Sequence, residues 1–282
     1  MDWARDLESW SHPSLSRRID LSPIRWHVQE AGDGPLILLL HGTGASTHTW
    51  RDVIHPLAEH YRVIAVDLPG HGFTKAPLHR MGLHPMVQDL RNLIDTETWA
   101  PVALIGHSAG AAIAVELAET LGNPKIVGLN PALENFPGVA AWLFPMVAKF
   151  LAMNPFTANL FSFAANRFQT TQIITGTGSK IGEDGLKFYT RLMQDRDHVN
   201  GALQMMAQWS LDDVAAKLPS VTAEALFLTG DLDKSVPPSV ARRAAERMPH
   251  ARVEMLTGLG HLAHEEDPVS VAKQIVAFVA QS

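Results

Sequence analysis

Short runs of mainly aliphatic residues recur along the chain, and most of them end at a glycine or a polar residue. Runs that are apolar at nearly every position are typical of strands buried on both faces of a parallel sheet. The predicted strands of this kind are Leu36–Leu40, Tyr61–Val66, Val102–Ile105, Lys125–Leu129, Ala225–Leu228 and Arg252–Leu256. Upstream, Ser16–Leu21 and Ile24–Gln29 are predicted to form an antiparallel pair at the sheet edge.

Helical patterns separate these strands. Apolar residues in one segment recur at the spacing that places them on a single helix face. They are Met86, Val87, Leu90, Leu93 and Ile94. Helices are also predicted over Ala109–Leu121 and from Pro268 onward. Alternating strands and helices predict the α/β class, with a mostly parallel central sheet flanked by helices.

The alternation stops between Pro131 and Ala223, where several helical patterns but no strand pattern occur. These residues include eight of the 11 phenylalanines. We therefore predict a core formed by residues 1–130 and 224–282. A helical cap of residues 131–223 is predicted to be inserted before the strand Ala225–Leu228. The cap residues predicted to bind an apolar substrate are Trp142, Phe144, Met146, Phe150 and Met153.

Composition and charge exclude several classes of function. The chain of 282 residues has no cysteine and a net charge of −6. Disulfides, iron–sulfur clusters and thiolate zinc sites are therefore excluded. The acidic balance and the lack of a dense Lys/Arg stripe argue against nucleic-acid binding.

The longest uncharged apolar run, residues 137–148, is shorter than a membrane-spanning helix. With no signal-peptide pattern at the N-terminus, we expect a cytoplasmic protein.

The sequence Gly106-His107-Ser108-Ala109-Gly110 follows a predicted strand and opens a predicted helix. A turn this tight requires very small flanking residues, and it lifts the serine hydroxyl clear of the sheet. The N–H of Ala109 then lies at a helix N-terminus, where negative charge is favoured. Ser108 is therefore the predicted nucleophile, and Ala109 is a predicted oxyanion donor.

A second oxyanion donor is expected after an earlier strand of such a sheet. The sequence His41-Gly42-Thr43-Gly44 follows Leu36–Leu40. We assign this donor to the backbone N–H of Thr43, with Gly44 as the alternative. His41 is expected to be a structural histidine.

The loops after the last two strands carry an acid and a histidine. Asp233 is predicted to orient the base, and Asp231 and Glu134 remain alternatives. His261 is the predicted general base that takes the proton of Ser108. The chain order serine, acid, histidine is the one expected for a nucleophile on this kind of turn.

Two other patterns do not complete a site. Gly176-Thr177-Gly178-Ser179-Lys180 is similar to a phosphate-binding loop, but Ile181 occupies the position that requires serine or threonine. His261 and His264 lie three residues apart without a third predicted ligand. No cofactor and no metal are predicted.

The chain resembles the α/β-hydrolase superfamily in its Ser108 turn, in residues 67–72 and in Gly260-His261 followed by Glu266. Several segments also look like the BchO-type magnesium-chelatase accessory proteins of bacteriochlorophyll biosynthesis. They are residues 24–29, 41–50, 106–112, 128–130, 176–179 and 258–266. The resemblance implies a place in tetrapyrrole biosynthesis, with magnesium-chelatase subunits as partners.

The predicted function is that of a serine hydrolase that acts through Ser108, His261 and Asp233 on an apolar ester-like substrate, such as a tetrapyrrole ester. One alternative keeps the fold without turnover: a protein that binds a porphyrin, or docks on the chelatase or on a membrane surface, through the cap. A generic carboxylesterase is the other alternative.

Overall fold

The computed structural model of the protein describes residues 1–135, 151, 154 and 156–281. In these residues an eight-stranded sheet has the order β1-β2-β4-β3-β5-β6-β7-β8. The strands are β1 Ser16–Leu21, β2 Ile24–Ala31, β3 Leu36–Leu40, β4 Arg62–Val66, β5 Pro101–His107, β6 Lys125–Leu129, β7 Ala225–Gly230 and β8 Ala251–Leu256. All eight predicted strands are present, and β1, β3 and β6 have the predicted bounds.

The described α-helices are numbered in chain order. They are α1 Trp3–Asp6, α2 Ile54–Ala58, α3 Leu83–Thr96, α4 Ala109–Thr120, α5 Thr157–Ala164, α6 Arg167–Gly176, α7 Glu183–Met193, α8 Arg196–Gln208, α9 Asp212–Lys217, α10 Pro238–Arg247, α11 Ala263–Glu266 and α12 Pro268–Val279. Short 3-10 helices cover Leu7–Ser9, Pro13–Leu15, Thr47–Trp50, Leu78–Arg80 and Leu218–Ser220. The predicted helices correspond to α3, α4 and α12.

The sheet is antiparallel at one edge and parallel elsewhere. Strand β1 pairs antiparallel with β2, and β2 pairs antiparallel with β4. The pairs from β4 to β8 are all parallel. The carboxyl ends of β3, β5, β6, β7 and β8 therefore lie along the same side of the sheet. In open α/β sheets, ligands bind just outside these carboxyl ends.

Both faces of the sheet are buried, which explains the unbroken apolar runs. In β3, Leu36, Leu38 and Leu40 pack on one face and Ile37 and Leu39 on the other. Helices α3, α4 and α10 cover the first face, and α2 and α12 cover the second. Alternate side chains of one strand thus enter two apolar cores, so the strand carries no polar position.

The described residues between β6 and β7 form helices α5 to α9 and no strand. Helix α8 contributes Met205 to the core on the first face of the sheet. The predicted substrate-binding residues Trp142, Phe144, Met146, Phe150 and Met153 lie outside the described residues. Among the residues that are described, no helix is both long and apolar enough to span a membrane.

Candidate active site

Ser108 alone forms the turn between β5 and α4. Its backbone has φ 52° and ψ −115°, a conformation that is strained for any residue with a side chain. Close packing fixes the two flanking glycines. A Cβ on Gly106 would lie 2.4 Å from the nitrogen of Ala111, and a Cβ on Gly110 would lie 2.1 Å from the carbonyl oxygen of Leu40. The predicted G-x-S-x-G turn therefore requires glycine two positions before and two positions after Ser108, where a Cβ would not fit.

The first residues of α4 provide an anion-binding end beside Ser108. Ala109 is the first residue of the helix, so its N–H has no acceptor within the helix. The macrodipole adds partial positive charge at the same point. Both Ser108 and Ala109 line one cavity.

The loop of residues 41–44 packs directly against the Ser108 turn. A Cβ on Gly42 would lie 3.0 Å from the Cβ of Ser108. His41 is buried and donates from Nδ1 to the carbonyl of Gly42 (2.8 Å), while its Nε2 accepts from the N–H of Leu68 (2.9 Å). Burial lowers the pKa of His41, which keeps the ring neutral and suits one donor and one acceptor nitrogen. His41 thus has a structural position, as predicted.

His198 on α8 fixes the other end of this loop. Its Nε2 donates to the carbonyl of Gly44 (3.1 Å), and its Nδ1 accepts from the N–H of Gly72 (3.0 Å). Burial lowers the pKa of His198 to about 4, so the ring is neutral at pH 7. The carbonyls of Gly42 and Gly44 are thus both hydrogen-bonded to histidines. Thr43 and Gly44, in the same loop, line the cavity beside Ser108. The sequence held no pattern that pointed to His198.

Asp233 and His261 form a buried pair. The Nδ1 of His261 donates to Oδ2 of Asp233 over 2.8 Å. The same carboxylate oxygen accepts from Asn130 Nδ2 (2.7 Å), and Oδ1 accepts from the N–H groups of Ser235 (2.7 Å) and Val236 (2.9 Å). Four donors thus compensate for the loss of water around a carboxylate with no exposed side-chain surface. His261 also lines the cavity that contains Ser108.

The two alternative acids bind elsewhere. Asp231 accepts the N–H of Gly258 (2.7 Å) and is exposed. Glu134 forms a two-pronged ion pair with Arg243, with a shortest distance of 2.7 Å. Of the three carboxylates considered from the sequence, the structure brings only Asp233 to His261.

The cavity at Ser108 has a volume of about 690 Å³, within the range of small-molecule sites. Its apolar wall comes from the end of α8, the loop before α9 and the start of α10. These apolar residues are Met206, Trp209, Leu211, Val236, Pro237 and Val240. Glu134, Asn135 and Arg243 supply polar groups. Among the described residues, no three His, Asp or Glu side chains are grouped as metal ligands would be.

Comparison with known proteins identifies the family of this chain and several of its relatives. A family model for the alpha/beta hydrolase fold matches residues 35–268. The chain is 44% identical over 261 residues to the magnesium-chelatase 30 kDa subunit of Rhodobacter capsulatus, covering 91% of this chain and 92% of that protein. It is 28% identical to the pimeloyl-[acyl-carrier protein] methyl ester esterase of Vibrio vulnificus, covering 90% and 98%.

Among solved structures, epoxide hydrolase CorEH superposes with a TM-score of 0.79 at 23% identity, covering 94% of this chain and 98% of that one. A likeness at this level of identity supports the fold alone.

Proposed function

This chain belongs to the alpha/beta hydrolase fold family, as a relative of the magnesium-chelatase 30 kDa subunit, and we propose that it is a serine hydrolase. Ser108 is the proposed nucleophile, His261 the general base and Asp233 the residue that orients the base. The N–H groups of Ala109 and Thr43 are the proposed oxyanion donors.

The observation that carries this proposal is the strained backbone of Ser108 beside an intact base–acid pair. A serine held at φ 52°, with no room for a side chain at Gly106 or Gly110, is costly to a fold, and such strain clusters at active sites. The 2.8 Å bond from His261 to a carboxylate with no exposed surface adds a second feature of a working triad. Both features meet at one cavity.

In the proposed mechanism, Ser108 Oγ attacks the carbonyl carbon of an ester while His261 takes its proton. Asp233 occupies Nδ1, which leaves Nε2 of His261 to accept that proton. The tetrahedral intermediate places its negative oxygen on the N–H groups of Ala109 and Thr43. It collapses to an acyl-serine, and His261 returns the proton to the departing alcohol. Water, deprotonated by His261, then releases the carboxylic acid and restores Ser108.

We propose that the substrate is an apolar ester and that residues 131–223 act as the cap that selects it. The apolar wall of the cavity, which includes Met206 and Trp209, supports this assignment. The kinship with a magnesium-chelatase subunit supports a tetrapyrrole ester in bacteriochlorophyll biosynthesis as the natural substrate. Trp142, Phe144, Met146, Phe150 and Met153 remain predicted further contacts for the body of this substrate.

Hydrolysis of a series of p-nitrophenyl esters by the wild type and by Ser108→Ala tests the proposal. The wild type is expected to release p-nitrophenol, and the variant is expected to lose this activity while keeping its circular-dichroism spectrum. Equal hydrolysis by the two proteins would contradict it. A metabolite comparison of strains that carry the two proteins then identifies the tetrapyrrole that accumulates.

A second candidate function, docking without turnover, is favoured by an exposed apolar surface on α5 and α6. Its large apolar side chains include Phe163, which is 92% exposed. The others are Phe156, Leu160, Phe161, Phe168 and Ile173. Such a surface is typical of a contact with a protein partner, here a chelatase subunit, or with a membrane surface. Full complementation by a Ser108→Ala strain would favour this function over hydrolysis.

A further inference from the structure

Side chains from three separate elements hold the backbone around His261. Each makes a hydrogen bond to one of three consecutive residues in the loop after β8. The bonds are from the Gly260 N–H to Glu266 Oε1 (2.8 Å), from His107 Nε2 to the His261 carbonyl (2.9 Å), and from the Leu262 N–H to Ser179 Oγ (2.7 Å). The peptide group after His261 is therefore held at its carbonyl by His107 and at its N–H by Ser179, both more than 80 residues away in sequence. Glu266, six residues from Gly260, holds the N–H of the residue before His261.

Two of these side chains come from the core, but Ser179 comes from the region between β6 and β7. It lies in residues 177–180, between α6 and α7, and it is fully buried. The sequence pattern there was similar to a phosphate-binding loop. In the structure, the N–H of Lys180 instead donates to Oε2 of Glu266 (3.1 Å), the same side chain that holds Gly260.

Residues 177–180 also contact the loop that carries Asp233. The carbonyl of Thr177 accepts the N–H of Lys234 (3.0 Å). A Cβ on Gly178 would lie 2.0 Å from the carbonyl oxygen of Leu232, and a Cβ on Gly260 would lie 2.4 Å from the carbonyl carbon of Gly178. Residues 177–180 thus pack between the loop that carries Asp233 and the loop that carries His261. Gly178 and Gly260 leave no space for a side chain at the two closest contacts.

We propose that Ser179 is a positioning residue that sets His261 against Asp233. The inference rests on the proposed function, because it assigns Ser179 a role in the same triad. The inserted region then does more than cover the substrate. It supplies one of the three side-chain hydrogen bonds to the backbone of residues 260–262. Replacing Ser179 by alanine leaves the buried N–H of Leu262 without its acceptor and releases one side of the loop.

The test compares Ser179→Ala with Ser179→Cys, whose sulfur is a weaker acceptor than a hydroxyl. Ser220→Ala is the matched control, since Ser220 is an exposed serine of the same inserted region whose hydroxyl donates to the Lys217 carbonyl (2.8 Å). The first readout is kcat for p-nitrophenyl butyrate per site titrated with a fluorophosphonate. The second is the low-field NMR resonance of the His261 Nδ1 proton.

A small misplacement of the base reduces turnover strongly. Ser179→Ala is therefore expected to lower kcat by about tenfold to a hundredfold with KM changed by less than about twofold. Ser179→Cys should fall between alanine and the wild type, and Ser220→Ala should match the wild type. The His261 proton resonance is expected to broaden or disappear in Ser179→Ala alone.

Wild-type kcat and an unchanged His261 resonance in both Ser179 variants would overturn the proposal, whatever happens to thermal stability. The NMR readout needs no turnover. A wild type that neither hydrolyses esters nor labels would therefore remove the proposed function, while the resonance would still decide whether Ser179 positions His261.

Discussion

Asp233 lies 2.8 Å from Nδ1 of His261, whereas Asp231, two residues earlier in the same loop, binds the N–H of Gly258 instead. The two carboxylates differ little in sequence context but greatly in surroundings. Asp233 is buried and accepts four hydrogen bonds, while Asp231 is exposed. Of these two carboxylates, only Asp233 is placed to orient His261 in the proposed triad.

We expect Asp233→Asn to lower kcat by about 10⁴, because an amide leaves His261 in the wrong tautomer for proton transfer. Asp231→Asn is the matched control and should retain nearly full activity. Both are measured by p-nitrophenyl ester hydrolysis. Comparable losses in the two variants would argue against the assignment of Asp233.

Substitution of Gly42 should displace Ser108 without replacing any residue of the proposed triad. An alanine Cβ there would lie 2.9 Å from His107 Nδ1 and 3.0 Å from the Cβ of Ser108, so one of these groups has to move. We expect the rate of fluorophosphonate labelling to fall by about tenfold or more. Gly176→Ala, where no atom outside the adjoining residues and the helix backbone lies within 4 Å of the added Cβ, should label at the wild-type rate. A Gly42→Ala protein that labels as fast as this control would refute the close packing.

Trp209 is expected to contribute to substrate binding through its place in the cavity wall. Its removal takes away apolar contact worth about 1.4 kcal/mol, or about tenfold, with a long acyl chain. Trp209→Ala should therefore lower kcat/KM for p-nitrophenyl octanoate by about tenfold and change the value for the acetate ester little. Equal losses for the two esters would show that Trp209 acts on the fold and not on the substrate.

Buried histidines should make the folded state sensitive to acid. Burial lowers the pKa of His198 to about 4 and of His264 to about 3. The pKa values of three more, His48, His71 and His107, lie well below the ordinary value for the same reason. Below about pH 6.5 the unfolded chain binds protons on these rings that the folded chain does not bind.

The contribution of these rings to the free energy of unfolding is therefore fully present above the ordinary histidine pKa. It decreases as the pH falls toward about 4, by about 1.4 kcal/mol per pH unit for each such ring. Scanning calorimetry should show Tm decreasing steeply between about pH 6.5 and about pH 5. His198→Gln should reduce the steepness, although it also changes the contact with Gly44. A Tm that stays constant over this interval would contradict the neutral, buried state of these histidines.

The fold and the triad candidates follow from local patterns in the sequence. Strands such as β3 and β6 are apolar on both faces and end at polar or glycine residues, so their bounds could be predicted. Ser108, Asp233 and His261 follow the ends of β5, β7 and β8, and parallel strands bring their carboxyl ends to the same side of the sheet. Strand β5 was predicted too short, because Gly106 and His107 belong to it through pairing with β6 and not through their own hydropathy.

The supporting contacts have no local signature. Asn130, Ser179 and His198 act through partners more than 80 residues away, so their roles depend on the tertiary structure. The cavity wall of Met206 and Trp209 comes from the end of α8, whereas the sequence placed substrate contacts on residues 142–153, outside the described part of the chain.

The most direct test of the central claim is covalent labelling with a fluorophosphonate followed by peptide mass spectrometry. The proposed triad predicts one adduct per chain, located on Ser108, and no adduct in Ser108→Ala. His261→Ala should slow the labelling strongly without moving its position. Labelling that persists in Ser108→Ala, or a correctly folded wild type that does not label at all, would contradict the assignment of Ser108 as the nucleophile.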